Sequence, residues 1–333
     1  MKKFANVAAS PAPVSANSFK DETKIRHLLS IHDCTPGQLR KLVETAVAFA
    51  AGEEIGHSSL SGSTVGIYFR RASTRTRTSF SVAAHRLGAK TIHYGPSDLQ
   101  LTTGETVEDT TRVLSGFLKA LVIRTNDSVS EMELFATQHR MPVINAMSEN
   151  EHPTQAIADL AAMRETLGRL EDVHVLYLGE GNNTAASLAF GIAMFAGMRL
   201  TLVTPAGYGL ADAQLETAKI MARKTGAEIE QHHRIDRLPR NVDVVYTTRW
   251  QTMGVPKADP DWKAKFRPYS VTLELMANVS KPSGTIFLHD LPAVRGDEVT
   301  NEVLDGPQSK AFRQAEYKLF GAMATLCWCV GDL

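Results

Sequence analysis

The chain has 333 residues, 43% hydrophobic and 22% charged, with a formal net charge of zero. This is the composition of a globular protein long enough for two domains, and it gives no bulk attraction toward nucleic acid or an anionic membrane. The three cysteines, Cys34, Cys327 and Cys329, form neither a disulfide framework nor a zinc pattern and point to a reducing, cytoplasmic setting.

In chain order, residues 1–20 hold a small, Pro-rich stretch and no long apolar run, so they are expected to be a disordered lead and not a signal peptide. No apolar run reaches the ~18 residues that a membrane span requires. A helix is expected at 35–51. Strand-like runs follow at Thr64–Arg70, Lys90–Tyr94, Ala120–Thr125 and Pro142–Ala146, with helical periods at Thr78–Leu87 and Thr106–Leu118 between them. A helical segment at 153–168 leads to a second block of strands: Val173–Gly179, Arg199–Pro205, Ala227–His232, Asp243–Thr248 and Gly284–His289. This block has a helical period at Thr184–Ala196, and a last helix is expected at 306–330. Strand–helix alternation predicts the α/β class with two doubly wound parallel sheets. The expected division is 21–152 for the first domain, 153–305 for the second, and 306–333 for a C-terminal helix returning to the first.

Ligands in such sheets bind beyond the carboxyl ends of the strands, so residues just after strands deserve the closest reading. Residues 70–78 hold four arginines and four hydroxyl residues between a strand and a helix. The hydroxyls of Ser73, Thr74 and Thr76 can cap free backbone N–H groups. The helix start favours an anion, and Arg75 and Arg77 add forked donors suited to phosphate. Arg124 ends a strand and either points into the same crevice or serves as a surface ion-pair residue. His152 and Gln155 lie three apart around Pro153. They can face one ligand, with His152 donating to a carbonyl oxygen, or His152 can simply pack or cap. Gly179-Glu180-Gly181-Asn182-Asn183 is only a partial dinucleotide loop, lacking the third glycine and the acidic ribose partner. Thr248-Arg249-Trp250-Gln251-Thr252-Met253-Gly254 and His289-Asp290-Leu291-Pro292 also follow strands, and each could be structural.

Taken in order, S-T-R-T-R, V-I-R, H-P-T-Q, G-x-G-N-N, T-M-G and H-x-L-P resemble the motifs of the aspartate/ornithine carbamoyltransferase family over about residues 25–330. Gly104–Thr110 resembles the family's mobile loop and the helix after it. The resemblance implies transfer of the carbamoyl group of carbamoyl phosphate to an amine, with release of phosphate and no metal or organic cofactor. It makes the first domain the carbamoyl phosphate domain and the second the amino-acid acceptor domain. Ser73, Thr74, Arg75 and Thr76 would hold the phosphate. Arg124 and His152 would face the carbamoyl oxygen and Gln155 its nitrogen, so that Arg75, Arg124, His152 and Gln155 form the catalytic set. Asp290, Leu291 and Lys318 would complete the donor site. Gln100 would reach the donor of a neighbouring subunit, which implies a homotrimer with shared active sites. Asn183, Thr248, Arg249, Gln251, Thr252, Met253 and Asp290 fall at acceptor-binding positions.

The acceptor side departs from the pattern. Thr248 stands where ornithine-type enzymes carry an Asp that receives the α-ammonium, and Thr252 replaces their Ser. Thr248-Arg249-Trp250-Gln251 is similar to the T-R-x-Q of the aspartate type, whereas Thr252-Met253-Gly254 and Arg295-Gly296-Asp297-Glu298-Val299-Thr300 resemble the ornithine type. Asp290 replaces the Cys of H-C-L-P, where a carboxylate could pair with an acceptor ammonium or accept its proton. Lys318 replaces an Arg, keeping charge without the fork. The expected acceptor is ornithine or a related diamino acid. The competing readings are aspartate-type specificity, a nicotinamide-dependent dehydrogenase, and a non-catalytic binding protein that kept the fold.

Overall fold

The computed structural model describes residues 25–55, 59–251 and 256–333. The expected lead at 1–20 and the positions of Thr252 and Met253 lie outside the described residues. The first half contains α1 (Pro36–Ala50), β1 (Thr64–Phe69), α2 (Thr74–Arg86), β2 (Lys90–Tyr94), α3 (Val107–Leu114), β3 (Ala120–Arg124), α4 (Ser130–Phe135) and β4 (Val143–Met147). Helix α5 (Pro153–Leu167) leads to the second half: β5 (His174–Leu178), α6 (Asn183–Ile192), β6 (Arg199–Val203), α7 (Asp212–Ala222), β7 (Glu228–His232) and β8 (Val244–Thr247). It continues through α8 (Trp262–Phe266), α9 (Leu273–Val279), β9 (Ile286–His289), α10 (Asn301–Leu304) and α11 (Ala311–Val330).

Every strand pairing is parallel. The sheets run β2-β1-β3-β4 and β7-β6-β5-β8-β9. Strands β3, β4, β5 and β8 are buried along their whole length, which is why they read as mostly apolar runs instead of alternating ones. Helix α5 is buried at eleven consecutive positions, Pro153–Met163, because it packs against α1, α6 and α11. Its low polarity is that of a helix covered on nearly all sides. Helix α11 also packs on α1 and α2, bringing the end of the chain back across the first half.

The helix expected at Thr106–Leu118 stops at Leu114. Gly116 follows, and Leu118 turns inward beside β1. The last helix starts at Ala311 instead of 306, since Gly306 and Pro307 occupy a turn before it. In both sheets the strand order reverses once, between β1 and β3 and between β5 and β8. Such reversals open crevices at the carboxyl ends of the strands, and these two crevices meet in one cavity.

Candidate active site

The cavity has a volume of about 320 Å³, the size of a small-molecule site. Its first wall is the start of α2. Ser73 takes an extended conformation there, ending the loop from β1, but its hydroxyl makes no capping bond, contrary to the expectation from sequence. The first-turn N–H groups of α2 therefore keep their capacity to bind an anion, assisted by the helix dipole. Thr76 is buried, and its hydroxyl accepts from Arg124 Nη1 at 3.1 Å. Arg75 extends Nη2 across the cavity to the Leu291 carbonyl at 2.8 Å. Leu291 presents that carbonyl from a left-handed backbone conformation, φ 49°, which L residues seldom adopt and which recurs at functional sites.

Arg124 ends β3, is 5% exposed, and has a buried Nε without a hydrogen-bond partner. Burial, with Arg75 adding like charge, lowers its pKa to about 10, so it remains a cation at neutral pH. The surface ion-pair alternative does not fit so buried a group.

His152 precedes α5, whose first position is Pro153, preset for a helical turn. Its backbone N–H donates to Ser187 Oγ at 2.8 Å, and its ring is buried. Burial, reinforced by Lys318, Arg124 and Arg75, drives its pKa well below the usual imidazole value. A neutral imidazole can still donate one hydrogen bond to a developing oxyanion. One turn on, Gln155 Oε1 accepts from Lys318 Nζ of α11. Burial also lowers the pKa of Lys318.

The opposite wall belongs to the second half. Asn182 caps α6, its side chain accepting from the N–H groups of Thr184 and Ala185, and Asn183 donates to the Ser148 carbonyl at 2.7 Å. Gly181 is required by packing: a Cβ there would lie 2.3 Å from the backbone of Gly209 and Leu210. Thr184 and Thr248 donate to the two carboxylate oxygens of Asp290, each at 3.0 Å. Asp290 is the one carboxylate lining the cavity among the described residues, against Arg75, Arg124, Arg249 and Lys318. Behind it, the Leu291 N–H donates to His289 Nδ1 at 2.8 Å, which leaves the ring proton on Nε2 facing Glu298 Oε1 at 3.1 Å.

One cavity thus gathers Ser73, Thr74, Arg75, Thr76, Arg124, His152, Gln155, Asn183, Thr248, Arg249, Gln251, Asp290, Leu291 and Lys318. It does not include Gln100, which is exposed in a short helical turn and accepts from Thr103 Oγ1 at 2.8 Å. Ala72, Met147, Asn182, Thr184 and Pro292 also line it and were not among the expected binding residues, although Asn182 and Pro292 fall within the motifs singled out above. The signal for Thr184 as a lining residue was its place, a hydroxyl immediately after a strand–Asn-Asn turn. Among the described residues no cluster of three or more His, Cys, Asp or Glu could hold a metal ion, and no helix is long and apolar enough to cross a membrane.

Residues 26–165 match the family model described as the aspartate/ornithine carbamoyltransferase carbamoyl-P binding domain, and residues 171–329 match the Asp/Orn binding domain of the same family. The ornithine carbamoyltransferase of Caldicellulosiruptor saccharolyticus is 39% identical over 93% of this chain and 100% of its own length. The anabolic ornithine carbamoyltransferase of Pyrococcus furiosus is 37% identical over 92% of this chain and 97% of its own. Among solved structures, the Pyrococcus furiosus ornithine carbamoyltransferase superposes with a TM-score of 0.83 at 36% identity, covering 91% of this chain and 96% of that one. The Gloeobacter violaceus ornithine carbamoyltransferase gives 0.81 at 35%, covering 92% and 100%.

Proposed function

The chain belongs to the aspartate/ornithine carbamoyltransferase family, and from that premise we propose that it moves the carbamoyl group of carbamoyl phosphate onto an amine of ornithine or a related diamino acid, releasing phosphate. The observation that carries this reading is the convergence of the α2 start, Arg75, Arg124, His152, Gln155 and Lys318 in one cavity, opposite Asp290.

Residues 21–152, with the returning segment 306–333, carry the donor side of this scheme, and 153–305 carry the acceptor side. The phosphate lies on the α2 N–H groups and the hydroxyls of Ser73, Thr74 and Thr76, with its charge met by Arg75 and Lys318. The carbamoyl oxygen points at Arg124 and neutral His152, and the carbamoyl amide donates to Gln155 Oε1. The acceptor enters as an ammonium, gives one proton to solvent and attacks as a free amine. Its nitrogen bonds to the carbonyl carbon, negative charge gathers on the oxygen facing Arg124 and His152, and the bond from carbon to the phosphate oxygen then breaks, the second nitrogen proton leaving with the phosphate. Holding donor and acceptor together in one cavity supplies much of the rate.

Asp290 pairs with acceptor positive charge, and Arg249, with Gln251 and Asn183 beside it, receives the carboxylate. Thr252 and Met253 are the remaining acceptor-binding positions that the family pattern assigns. A hydroxyl at Thr248 and a carboxylate at Asp290 support an amine arrangement different from that of ornithine. Initial rates of phosphate release with a panel of amino-acid amines test this. Turnover with a diamino acid other than ornithine supports it. Fast turnover with ornithine alone would remove the altered specificity, and no turnover with any amine would remove the enzyme reading.

Gln100 is exposed and lies outside the lining of its own cavity, and Ile92, Val113, Phe117 and Leu134 of the same half expose large apolar side chains. Both features support a homotrimer in which Gln100 reaches a neighbour's site, and the three free cysteines support a reducing, cytoplasmic setting for it. A monomeric mass by light scattering would contradict it.

A further inference from the structure

Beneath the cavity lies a carboxylate that the reaction scheme does not use. Asp159, one turn after Gln155 on α5, is 0% exposed and lines no part of the cavity. Three donors converge on it. Gln155 Nε2 reaches Oδ1 at 2.7 Å, Gln314 Nε2 reaches the same oxygen at 2.6 Å, and the Tyr246 hydroxyl reaches Oδ2 at 3.0 Å. An ionised carboxylate accepts all three, whereas a protonated one would add a donor where donors already converge. Burial, with Asp290 adding like charge, raises its pKa to about 7, and the hydrogen bonds from Gln314 and Gln155, with Lys318 near by, oppose that shift in part.

We propose that Asp159 is a positioning residue that locks the Gln155 amide with its carbonyl oxygen toward the cavity. A glutamine amide is nearly symmetric in shape, so packing alone does not choose between its two orientations. Here the choice is made by hydrogen-bonding capacity. Ionised, Asp159 only accepts, so Nε2 faces it, and the Lys318 ammonium only donates, so Oε1 faces it. The cavity consequently meets an acceptor at Gln155, the partner that a primary amide N–H of the donor requires. A flipped amide would present N–H to N–H and leave both unpaired.

The same carboxylate ties the two halves of the site together. Tyr246 lies on β8, two residues before Thr248. Gln314 accepts from the His289 N–H at 2.8 Å, adjoining Asp290. Gln314 and Lys318 share α11 of the returning segment, so the two orienting contacts of Gln155 are tied to the acceptor wall through Tyr246 on one side and through Gln314 and His289 on the other.

The inference rests on the carbamoyl phosphate reading for its kinetic consequence but not for its geometry. Neutron diffraction of the free wild-type protein is expected to show the Gln155 amide deuterons on the Asp159 side; deuterons facing the cavity overturn the lock whatever the substrate proves to be. Asp159→Asn can pair with either orientation and is expected to raise KM for carbamoyl phosphate about tenfold, with a smaller change in KM for the acceptor. The double variant Asp159→Asn/Gln155→Glu restores a fixed acceptor facing Lys318 and is expected to recover most of that loss. A donor KM within twofold of wild type in the single variant, or no recovery in the double, overturns the proposal. Absence of wild-type turnover would instead strike the reaction scheme, leaving the amide orientation to answer for the lock.

Discussion

Replacing Asp290 by Asn should move the two substrates in opposite directions. The carboxylate is 15% exposed and held by Thr184 and Thr248, so its charge sits partly shielded at a fixed point of the acceptor wall. An ammonium at ~4 Å from it gains about 4 kcal/mol at an intermediate dielectric. Desolvation of the ammonium takes back part of this, leaving about 2–3 kcal/mol, or about 10² in kcat/KM for the acceptor. The donor responds with the other sign. Asp290 favours the charged forms of Arg75 and Arg124 and partly offsets their field, so removing its charge frees that field for phosphate. KM for carbamoyl phosphate should fall by about threefold. Asn keeps one carboxamide oxygen for a threonine hydroxyl, so the melting temperature should change little. Steady-state kinetics with each substrate varied in turn would measure both effects. An acceptor kcat/KM within threefold of wild type, with donor KM unchanged, would refute the assignment of Asp290 to the acceptor amine.

Arg124→Met should lower kcat by about 10²–10³, as expected for removing a donor to a developing oxyanion, without lowering stability, because it also removes a buried charge beside Arg75. Single-turnover rates and thermal melts check both halves. Glu151 is buried against Ser30, Ile31 and Ser187, and burial raises its pKa to about 7. A raised carboxyl pKa stabilises the fold while the group is protonated. That contribution is lost as pH rises from the ordinary carboxylate range through about 7, costing about 2 kcal/mol between pH ~5.5 and ~8. Glu151→Gln should therefore be more favourable relative to wild type at the higher pH in urea unfolding, and an equal difference at both pH values would contradict this. Gly181→Ala should destabilise by about 3 kcal/mol, because its Cβ meets the backbone of Gly209 and Leu210 at 2.3 Å. A melt matching wild type would show that this loop yields more easily than its packing suggests.

The two-sheet architecture was legible because buried parallel strands write themselves as apolar β-branched runs bounded by turn residues, as at Ala120–Arg124 and His174–Leu178. The donor wall was legible for a related reason: Ser73–Arg77, Arg124 and His152–Gln155 each directly follow a strand or its turn, where the fold places ligands. What the sequence withheld were contacts between distant segments. Nothing local to Thr184 or Thr248 announces that both hydroxyls close on Asp290. Asp159 reads as an ordinary polar residue on a helix until α11 and β8 are packed against it and its three donors converge. The Ser73 cap did not form although its backbone is extended, as a capping residue's is; the residue lines the cavity instead.

The most direct test of the account follows the carbamoyl carbon itself. Carbamoyl phosphate labelled with ¹³C, incubated with the protein and a ¹⁵N-labelled diamino acid, should yield a ureido carbon whose resonance is split by the acceptor nitrogen, with one phosphate released per ureido group. Label recovered only as the products of carbamoyl phosphate hydrolysis, with ornithine and every other amine tried, would contradict it.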